Sequence, residues 1–253
     1  MLRSRIIPFL LIDKNTDTVK TIKFSNRNYV GDILNNIRIF NEKEVDEIVV
    51  LDIDISNLNY EPNYEIISKI ASVCRMPLTY GGGIKNISVA KKIINLGVEK
   101  ICINSAAIKN INFLKLISNE IGSQSLSVCI NVRKEGNKYS IFSNKLEFVN
   151  IDLIDYITDL QLNGVGEIIF NLIDDDGSLN GYNFSFLETI NDYINVPSII
   201  LGGCSNYENI KLLFRKFPKF ASGCSSVFIY KGKFKAVLIN YPSKNQKEYI
   251  LNG

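Results

Sequence analysis

Short apolar runs rich in Ile, Val and Leu alternate along this chain with segments of helical periodicity. Apolar runs separated by helices predict strands of a parallel sheet that is buried on both faces. The predicted strands are Arg5–Ile12, Glu47–Ile53, Pro77–Tyr80, Lys100–Asn104, Leu126–Val132, Glu167–Leu172, Ser198–Leu201 and Phe220–Ser222. Eight such units in 253 residues fit a single α/β domain folded as a (β/α)₈ TIM barrel. A doubly wound open sheet is the alternative.

The segments between the strands place apolar residues at helical spacing, and several of them end at a glycine that can cap a helix. The clearest predicted helices are Asn63–Cys74, Ser88–Gly97, Asn112–Gly122, Asp152–Gly164, Phe186–Ile194 and Tyr207–Phe217.

The two halves of the chain resemble each other. The sequence VDEI at 45–48 recurs as VGEI at 165–168, and Pro77 followed by Gly81 and Gly82 recurs as Pro197 followed by Gly202 and Gly203. Ser105 likewise corresponds to Ser226. A duplicated half that carries four strands favours closure into a barrel. We therefore predict one domain over residues 1–253, with half-barrels of about 1–122 and 123–253.

The chain contains no histidine. This excludes a Ser-His-Asp or Cys-His triad and removes the commonest zinc ligand. The five cysteines form no C-x-x-C pair, so we predict no metal site and no cofactor. Acid–base chemistry would have to come from carboxylates, Lys, Tyr or Cys.

The net charge of +3 gives no strong field toward nucleic acid or an anionic membrane, and neither is expected as a partner. The apolar run near the start ends at Asp13 without a cleavage site, so it predicts a buried strand rather than a signal peptide. No stretch approaches the roughly 18 apolar residues of a membrane span. With scattered cysteines, these features favour a cytoplasmic protein.

Glycine and small polar residues follow four of the predicted strands. Strand ends of this kind form the active face of a barrel, where exposed backbone N–H groups suit phosphate oxygens. The symmetry predicts two anion sites, whereas the alternative reading is that the glycines only form tight turns. The candidate residues are Gly83, Asn104 and Ser105 for one site and Gly203, Ser225 and Ser226 for the other.

Four of the predicted strands begin with a charged residue, namely Arg5, Glu47, Lys100 and Glu167. If all four point inward, they form a ring of two cations and two anions at the amino-terminal end of the barrel. Buried charges of this kind must be paired. The ring could be functional or a purely structural salt-bridge plug.

The order and spacing of several motifs resemble one known family over essentially the whole chain. The motifs are RIIPFL, YVGD, VDEIVVLDID, YGGGI, GVEKICINSAA, IGSQS, GVGEIIFNLIDDDGSLNGY, LGGC and SSVF. They are similar to HisF, the cyclase subunit of imidazole glycerol phosphate synthase, a lyase of histidine biosynthesis. The resemblance implies a barrel paired as a heterodimer with a HisH-like glutaminase, whose ammonia enters at the barrel bottom.

The resemblance also implies roles for individual residues. Arg5, Glu47, Lys100 and Glu167 match the ammonia gate, and Glu99 matches a contact to the glutaminase. Lys20 matches the substrate-contacting lysine of the first loop. The two sets of glycine and small polar residues match phosphate sites for a phosphorylated small molecule or phosphate.

Leu11 and Asn131 stand where the family has its two catalytic aspartates. Leucine cannot transfer a proton, and the amide of asparagine does not titrate usefully. Because general acid–base catalysis contributes about 10²- to 10⁴-fold per group, we expect cyclase activity to be nearly abolished. Asp13 and Asp176 are the candidate substitutes, although Asp13 is expected to lie in a loop.

Several segments of the chain also resemble one branch of this family, the glycosyl amidation-associated WbuZ proteins. These segments are TVKTIKF, YVGD, IRIFNEKEVDEIVVLDID and EPNYEII. This implies a non-cyclising subunit that works with a HisH-like glutaminase and an ATP-dependent amidotransferase in polysaccharide biosynthesis, converting a sugar acetamido group into an acetamidino group. The alternatives are an active cyclase and a non-catalytic scaffold that binds a phosphorylated ligand.

Overall fold

The computed structural model describes residues 4–55, 60–232 and 234–251. Eight strands form a closed parallel barrel, in which β1 pairs with both β2 and β8 and β5 pairs with β6. The barrel strands are β1 (Ile6–Ile12), β2 (Ile48–Asp52), β3 (Leu78–Gly81), β4 (Lys100–Ile103), β5 (Leu126–Glu135), β6 (Glu167–Leu172), β7 (Ser198–Leu201) and β8 (Phe220–Cys224). The predicted (β/α)₈ barrel is confirmed. The alternative of an open sheet is wrong, because β8 pairs with β1 and closes the sheet.

Helices cover the outside of the barrel. They are α1 (Ile33–Glu42), α2 (Tyr64–Val73), α3 (Ile87–Asn95), α4 (Ser105–Lys109), α5 (Asn112–Ile121), α6 (Leu153–Leu162), α7 (Phe184–Ile190), α8 (Tyr207–Lys216), α9 (Ser226–Ile229) and α10 (Lys244–Leu251). Single-turn 3₁₀ helices occur at Ser123–Ser125, Ile173–Asp175 and Asn191–Tyr193.

Asn or Asp precedes six of the longer helices, and its side chain accepts a hydrogen bond from a backbone N–H of the first turn. These residues are Asp32, Asn63, Asn86, Asp152, Asn183 and Asn206. Such caps satisfy N–H groups that have no partner within the helix and thereby fix where each helix begins.

Alternation of side chains along the strands produces two apolar layers. The outer layer packs the strands against the helices and contains Phe170, Phe186 and Phe220. The inner layer fills the barrel lumen with Ile7, Phe9, Val49, Cys102, Cys129, Ile169, Ile199, Leu201 and Ala221. The barrel is therefore a packed core rather than an open pore.

Short strands outside the barrel were not predicted by the apolar pattern. Asp17–Ile22 and Ser25–Asp32 form an antiparallel hairpin, which we name the lid hairpin. Lys138–Phe142 pairs with β5 and Phe148–Val149 pairs with that strand in turn, which explains why β5 continues to Glu135. Tyr230–Lys231 and Ala236–Val237 form a small hairpin after α9.

Tyr241 ties the segment after the barrel to its first strand. Its hydroxyl donates to the carbonyl oxygen of Ile6 at 2.8 Å and accepts from the backbone N–H of Asp46 at 3.3 Å. No helix in the described part of the chain is both long and apolar enough to cross a membrane.

Candidate functional site

A cavity of about 540 Å³ opens at the carboxyl ends of the barrel strands. This volume is in the range of small-molecule sites, and the carboxyl-terminal face is where barrels of this type bind ligands. Its walls include the ends of several strands and part of the lid hairpin. We refer to this cavity as the mouth.

The two predicted phosphate sites share a backbone geometry. Gly83 and Gly203 have φ values of 67° and 88°, a region that favours glycine. Asn104 and Ser225 adopt nearly the same conformation, with φ and ψ of −131° and −81° in one case and −128° and −76° in the other. The sequence repeat is therefore accompanied by two matched turns on the mouth face.

Glycine is required sterically at these turns. A Cβ on Gly82 would lie 2.7 Å from the carbonyl oxygen of Asp52, and one on Gly203 would lie 2.1 Å from that of Gly181. The first site lines the mouth with Gly83, Asn104 and Ser105. The second forms a small pocket with Gly203, Ser225 and Ser226. In that second site the Oγ of Ser225 is buried and has no hydrogen-bond partner among the described residues.

Lys20 reaches both cavities from the lid hairpin. Its Nζ lies 2.6 Å from Asp176 Oδ1, and its side chain is only 3% exposed. The other carboxylate oxygen of Asp176 accepts from Thr21 Oγ1 at 2.9 Å and from the backbone N–H of Phe24 at 3.4 Å. Asp176 therefore holds the hairpin against the mouth. Both carboxylate oxygens of Asp176 already accept hydrogen bonds from the hairpin, which does not favour Asp176 as a substitute for a catalytic aspartate.

A second ion pair holds the other side of the hairpin. Arg27 forms a bidentate pair with Asp54, with N–O distances of 2.7 and 2.6 Å. This guanidinium, by hydrogen bonding, lowers the pKa of the Asp54 carboxyl. The backbone N–H of Lys14 also donates to Asp54. The sequence pattern did not reveal this pair because the hairpin itself was not predicted.

Leu11 and Asn131 both line the mouth, on strands β1 and β5. Asp13 is not among the lining residues, and its carboxylate accepts from the backbone N–H groups of Asn15 and Asp17. It thus stabilises the turn that starts the lid hairpin, as expected for a loop position. Asp13 therefore supplies no carboxylate to the lining of the mouth beside Leu11.

A chain of side-chain amides crosses the wall of the mouth. Asn171 Nδ2 donates to Asn131 Oδ1 at 3.2 Å, and Asn131 Nδ2 donates to Asn144 Oδ1 at 3.1 Å. Asn144 Nδ2 continues to Ser105 Oγ at 3.1 Å, which contacts Asn104 Oδ1 at 3.4 Å. We call these residues the amide chain. Asn131 and Asn171 are direct register partners on β5 and β6.

Asp52 is a carboxyl group of the mouth that the sequence reading did not single out. It ends β2, where it pairs in register with Ile12 beside Leu11. Burial raises the pKa of Asp52 to about 6, although hydrogen bonds from the backbone N–H groups of Ile55 and Asp54 oppose the shift. Its place at the carboxyl end of a barrel strand was the signal that could have identified it.

At the opposite end of the barrel, the four charged residues form a closed ring. Arg5 donates to Glu47 at 2.6 Å and to Glu167 at 2.7 Å. Lys100 donates to the same two carboxylates at 2.9 and 3.2 Å. The four predicted inward positions are thus brought together, and each charge has two partners of opposite sign. We call this the charged ring.

The ring is asymmetric in its exposure to solvent. The side chains of both glutamates are 4% exposed, whereas those of Arg5 and Lys100 are 24% and 19% exposed. Burial disfavours the charge of Arg5, but the two glutamates outweigh it and raise the pKa of the guanidinium.

On the lumen side, the hydroxyls of Thr79 and Ser127 donate to Glu47 and Glu167 at 3.3 and 3.2 Å. Nearby, at the start of β4, Glu99 accepts from the backbone N–H of Leu78 at 2.7 Å.

Side chains pack the lumen between the ring and the mouth. Phe9 has the largest side chain of the inner layer, lines the mouth and is 1% exposed. Gly223 leaves space for the Phe9 side chain, since a Cβ at position 223 would lie 3.0 Å from Phe9 Cε2. All five cysteines are free, and Cys102 and Cys129 face this lumen. No group of three or more His, Cys, Asp or Glu residues suited to a metal occurs in residues 4–55, 60–232 and 234–251.

The chain is similar to known proteins over this whole architecture. A family model described as "Histidine biosynthesis protein" matches residues 5–235. One relative, provisionally named imidazole glycerol phosphate synthase subunit hisF3 of Vibrio vulnificus, is 42% identical over 99% of this chain and 97% of its own length. Another, provisionally named subunit hisF2 of Pseudomonas aeruginosa, is 44% identical over 97% of this chain and 98% of its own.

A third relative is the imidazole glycerol phosphate synthase subunit HisF of Dictyoglomus thermophilum. It is 38% identical over 83% of this chain and 84% of its own length. A match over nearly the whole chain, on a closed eight-stranded barrel, establishes the relationship. The protein belongs to the histidine biosynthesis protein family and, within it, to the HisF proteins.

Proposed function

We propose that this protein is a subunit that activates a HisH-like glutaminase and conducts its ammonia through the barrel, and that its own cyclase activity is lost. The single observation that carries the proposal is the coexistence of an intact charged ring with Leu11 and Asn131 in the mouth. A ring of paired charges is kept at one end while the mouth has neither of the family's two aspartates.

The charged ring supports a gate because it is held by interactions on every side and yet lies near solvent. Arg5 and Lys100 are partly exposed, so either side chain can swing outward without burying a new group. The carboxylates that remain would keep one cation as a partner. Passage would also require the packed inner layer to open, including Phe9, which is its largest side chain and is 1% exposed.

Within this proposal, the ammonia serves the amidation of a surface-polysaccharide sugar, as the resemblance to the WbuZ branch implies. An ATP-dependent sugar amidotransferase would be the third component and would convert an acetamido group into an acetamidino group. Delivery of ammonia to the mouth is supported by the residues that line it, since the two predicted phosphate sites and Lys20, which match the family's ligand-binding positions, are present there.

Reconstitution tests the proposal directly. The purified protein should stimulate glutamine hydrolysis by its HisH-like partner, and it should give no cyclase product from the imidazole glycerol phosphate synthase substrate. Amidinated sugar should form from glutamine when the amidotransferase is added. Failure to bind or stimulate the glutaminase would instead favour a scaffold that binds a phosphorylated ligand without transferring ammonia.

One observation favours a second candidate, a working cyclase of histidine biosynthesis. Asp52 lies in the mouth next to the strand that carries Leu11, and its pKa of about 6 suits proton transfer near neutral pH. Complementation of a strain that lacks the cyclase separates the two candidates, because only a working cyclase restores growth without histidine.

A further inference from the structure

Cys204 and Cys224 bring two free thiols into contact where the ends of β7 and β8 meet. Cys224 ends β8, and Cys204 lies in the segment between β7 and α8, directly after Gly203. Their Sγ atoms are 3.3 Å apart. The parallel register of the two strands, in which Leu201 pairs with Gly223, holds these segments side by side. Because a disulfide bond is about 2.05 Å long, the sulfurs need to approach by only roughly 1.3 Å to form one.

The surroundings of Cys224 favour its thiolate. Its Sγ lies 3.2 Å from Ser222 Oγ and 3.5 Å from the hydroxyl oxygen of Tyr182. Burial disfavours the charged form, but hydrogen bonds from these two groups and from Cys204 outweigh it and lower the pKa of the Cys224 thiol. At Cys204, by contrast, burial and the neighbouring Cys224 raise the pKa. Cys224 is therefore the stronger nucleophile of the pair, and Cys204 holds its proton.

Cys204 faces a small pocket through which an oxidant can reach it. The pocket has a volume of about 20 Å³ and is also lined by Gly203, Ser225 and Ser226. A volume of this size admits a molecule not much larger than water. Hydrogen peroxide fits, whereas a bulky disulfide such as oxidised glutathione does not. Cys224 is 1% exposed and is not among the residues that line the pocket, so peroxide meets Cys204 first.

We propose that Cys204 and Cys224 form a reversible disulfide when the protein is exposed to hydrogen peroxide. The Cys204 sulfur first takes one oxygen atom from the peroxide as the O–O bond breaks, which leaves a sulfenic acid and releases one water molecule. The Cys224 thiolate then attacks that sulfur, and the departing hydroxide takes up the proton that Cys224 has lost, giving a second water molecule. Two electrons thus pass from the two sulfurs to the peroxide. A dithiol reductant reverses the change by thiol–disulfide exchange.

The disulfide would join the turn after β7 to the end of β8 and draw together two walls of the small pocket, which Lys20 also lines. Because burial raises the pKa of Cys204, the first step is slow, and the pair responds to sustained rather than brief exposure. Transient disulfides of this kind occur in compartments that keep other thiols reduced. The proposal needs only the pair and the pocket, so it does not depend on the proposed function.

Peptide mapping of the complete, reduced protein after treatment with hydrogen peroxide under native conditions tests the proposal. The number of free thiols should fall by two from the original five, and mass spectrometry without reduction should find the peptides of Cys204 and Cys224 linked to each other. Dithiothreitol should restore both thiols. Oxidised glutathione at the same concentration should form the link at least about tenfold more slowly, because it does not fit the pocket.

Single variants separate the roles of the two thiols. Cys224→Ser leaves Cys204 without a thiol to attack it, so a sulfenic acid should accumulate at position 204 and be labelled by dimedone. Cys204→Ser should give no such label at Cys224, which does not line the pocket. Cys74→Ser is the matched control, since Cys74 is only half-buried and its loss should leave the link between Cys204 and Cys224 unchanged.

Oxidation of other cysteines without a link between Cys204 and Cys224 would overturn the proposal, as would a link that forms only after denaturation. Equal dimedone labelling of the two single variants would contradict the order of attack. If either variant fails to fold, mapping of the unaltered protein with peroxide and with oxidised glutathione still decides.

Discussion

Lys20 Nζ and Asp176 Oδ1 lie 2.6 Å apart, and this pair joins the lid hairpin to the segment after β6. We expect Asp176→Asn to loosen the hairpin, because the buried ammonium would lose its counter-charge. Amide hydrogen exchange at Lys23 and Phe24, whose N–H groups donate to Asp176, should become at least about tenfold faster.

The control for this change is Asp54→Asn, which breaks the pair with Arg27. The Arg27 side chain is 44% exposed, compared with 3% for Lys20, so the loss should be smaller. Equal exchange in the two variants would contradict the assignment of Asp176 as the main hairpin contact.

The charged ring gives a prediction about the coupling of glutamine hydrolysis to ammonia transfer. Lys100→Met removes one cation, but Arg5 still bridges Glu47 and Glu167, so we expect the protein to fold. The partner should continue to hydrolyse glutamine, while the ratio of amidinated sugar formed to glutamate released should fall. Lys247→Met is a matched control, since Lys247 pairs with Asp46 and is 18% exposed, against 19% for Lys100. An unchanged ratio in a stable Lys100→Met protein would show that ammonia does not pass the ring.

The cyclase prediction concerns Leu11 and Asn131. With the imidazole glycerol phosphate synthase substrate and ammonium salt, which bypass the glutaminase, we expect no measurable turnover. The double variant Leu11→Asp and Asn131→Asp should restore some activity if the remaining mouth residues are competent. Activity of the unaltered protein within about tenfold of an ordinary cyclase would contradict the loss of two groups worth about 10²- to 10⁴-fold each.

Asp52 gives stability a specific pH dependence. Its folded pKa of about 6 exceeds the ordinary 3.8, so the folded state holds this proton more tightly than the unfolded state does. Ionisation of Asp52 therefore destabilises the fold as pH rises through this interval, and the penalty is complete above about pH 6.

Asp52→Asn should consequently be more stable than the unaltered protein at pH 7.5, by up to about 3 kcal/mol for a pKa raised from 3.8 to about 6. The two proteins should converge near pH 4. Chemical denaturation at the two pH values measures the difference, and a constant difference would rule out this titration as its cause.

The turn at Gly203, in the second predicted phosphate site, allows a steric prediction. Gly203→Ala should destabilise the protein by about 1–3 kcal/mol and remove anion binding near Ser226, because its Cβ would meet the Gly181 carbonyl oxygen at 2.1 Å. Gly136→Ala is the control, since its φ of +61° is also unfavourable but no atom lies within 4 Å.

Crystals soaked in phosphate should show anions at both turns in the unaltered protein and only near Gly83 and Ser105 in Gly203→Ala. An empty mouth at high phosphate would mean that the glycines serve only the turns.

The sequence was sufficient to place the barrel strands because buried parallel strands are nearly continuous apolar runs, and a charge at the start of such a run is conspicuous. This is why Arg5 and Glu167 could be assigned to one ring, although 162 positions separate them. The register that aligns Asn131 with Asn171 follows from the same strands. The amide contact could thus have been inferred once β5 and β6 were known to be neighbours.

Other features depend on information that local patterns do not contain. The lid hairpin is largely polar and exposed along Ser25–Tyr29, so no apolar alternation marks it. The pKa of Asp52 depends on burial by distant segments. Asn144 reaches Ser105 from 39 positions away, through a loop whose course the sequence did not predict.

The pairing of β1 with β8 has a consequence for how the chain is made. Ile6 and Ser222 are register partners, so the first strand must wait for almost the entire polypeptide before its final neighbour emerges from the ribosome. Until then, one edge of β1 can pair with other chains, which is a hazard for an apolar strand. The contact between Tyr241 and Ile6 forms later still. Slower translation near the end of the message would therefore lengthen the period in which this barrel is open and prone to aggregate.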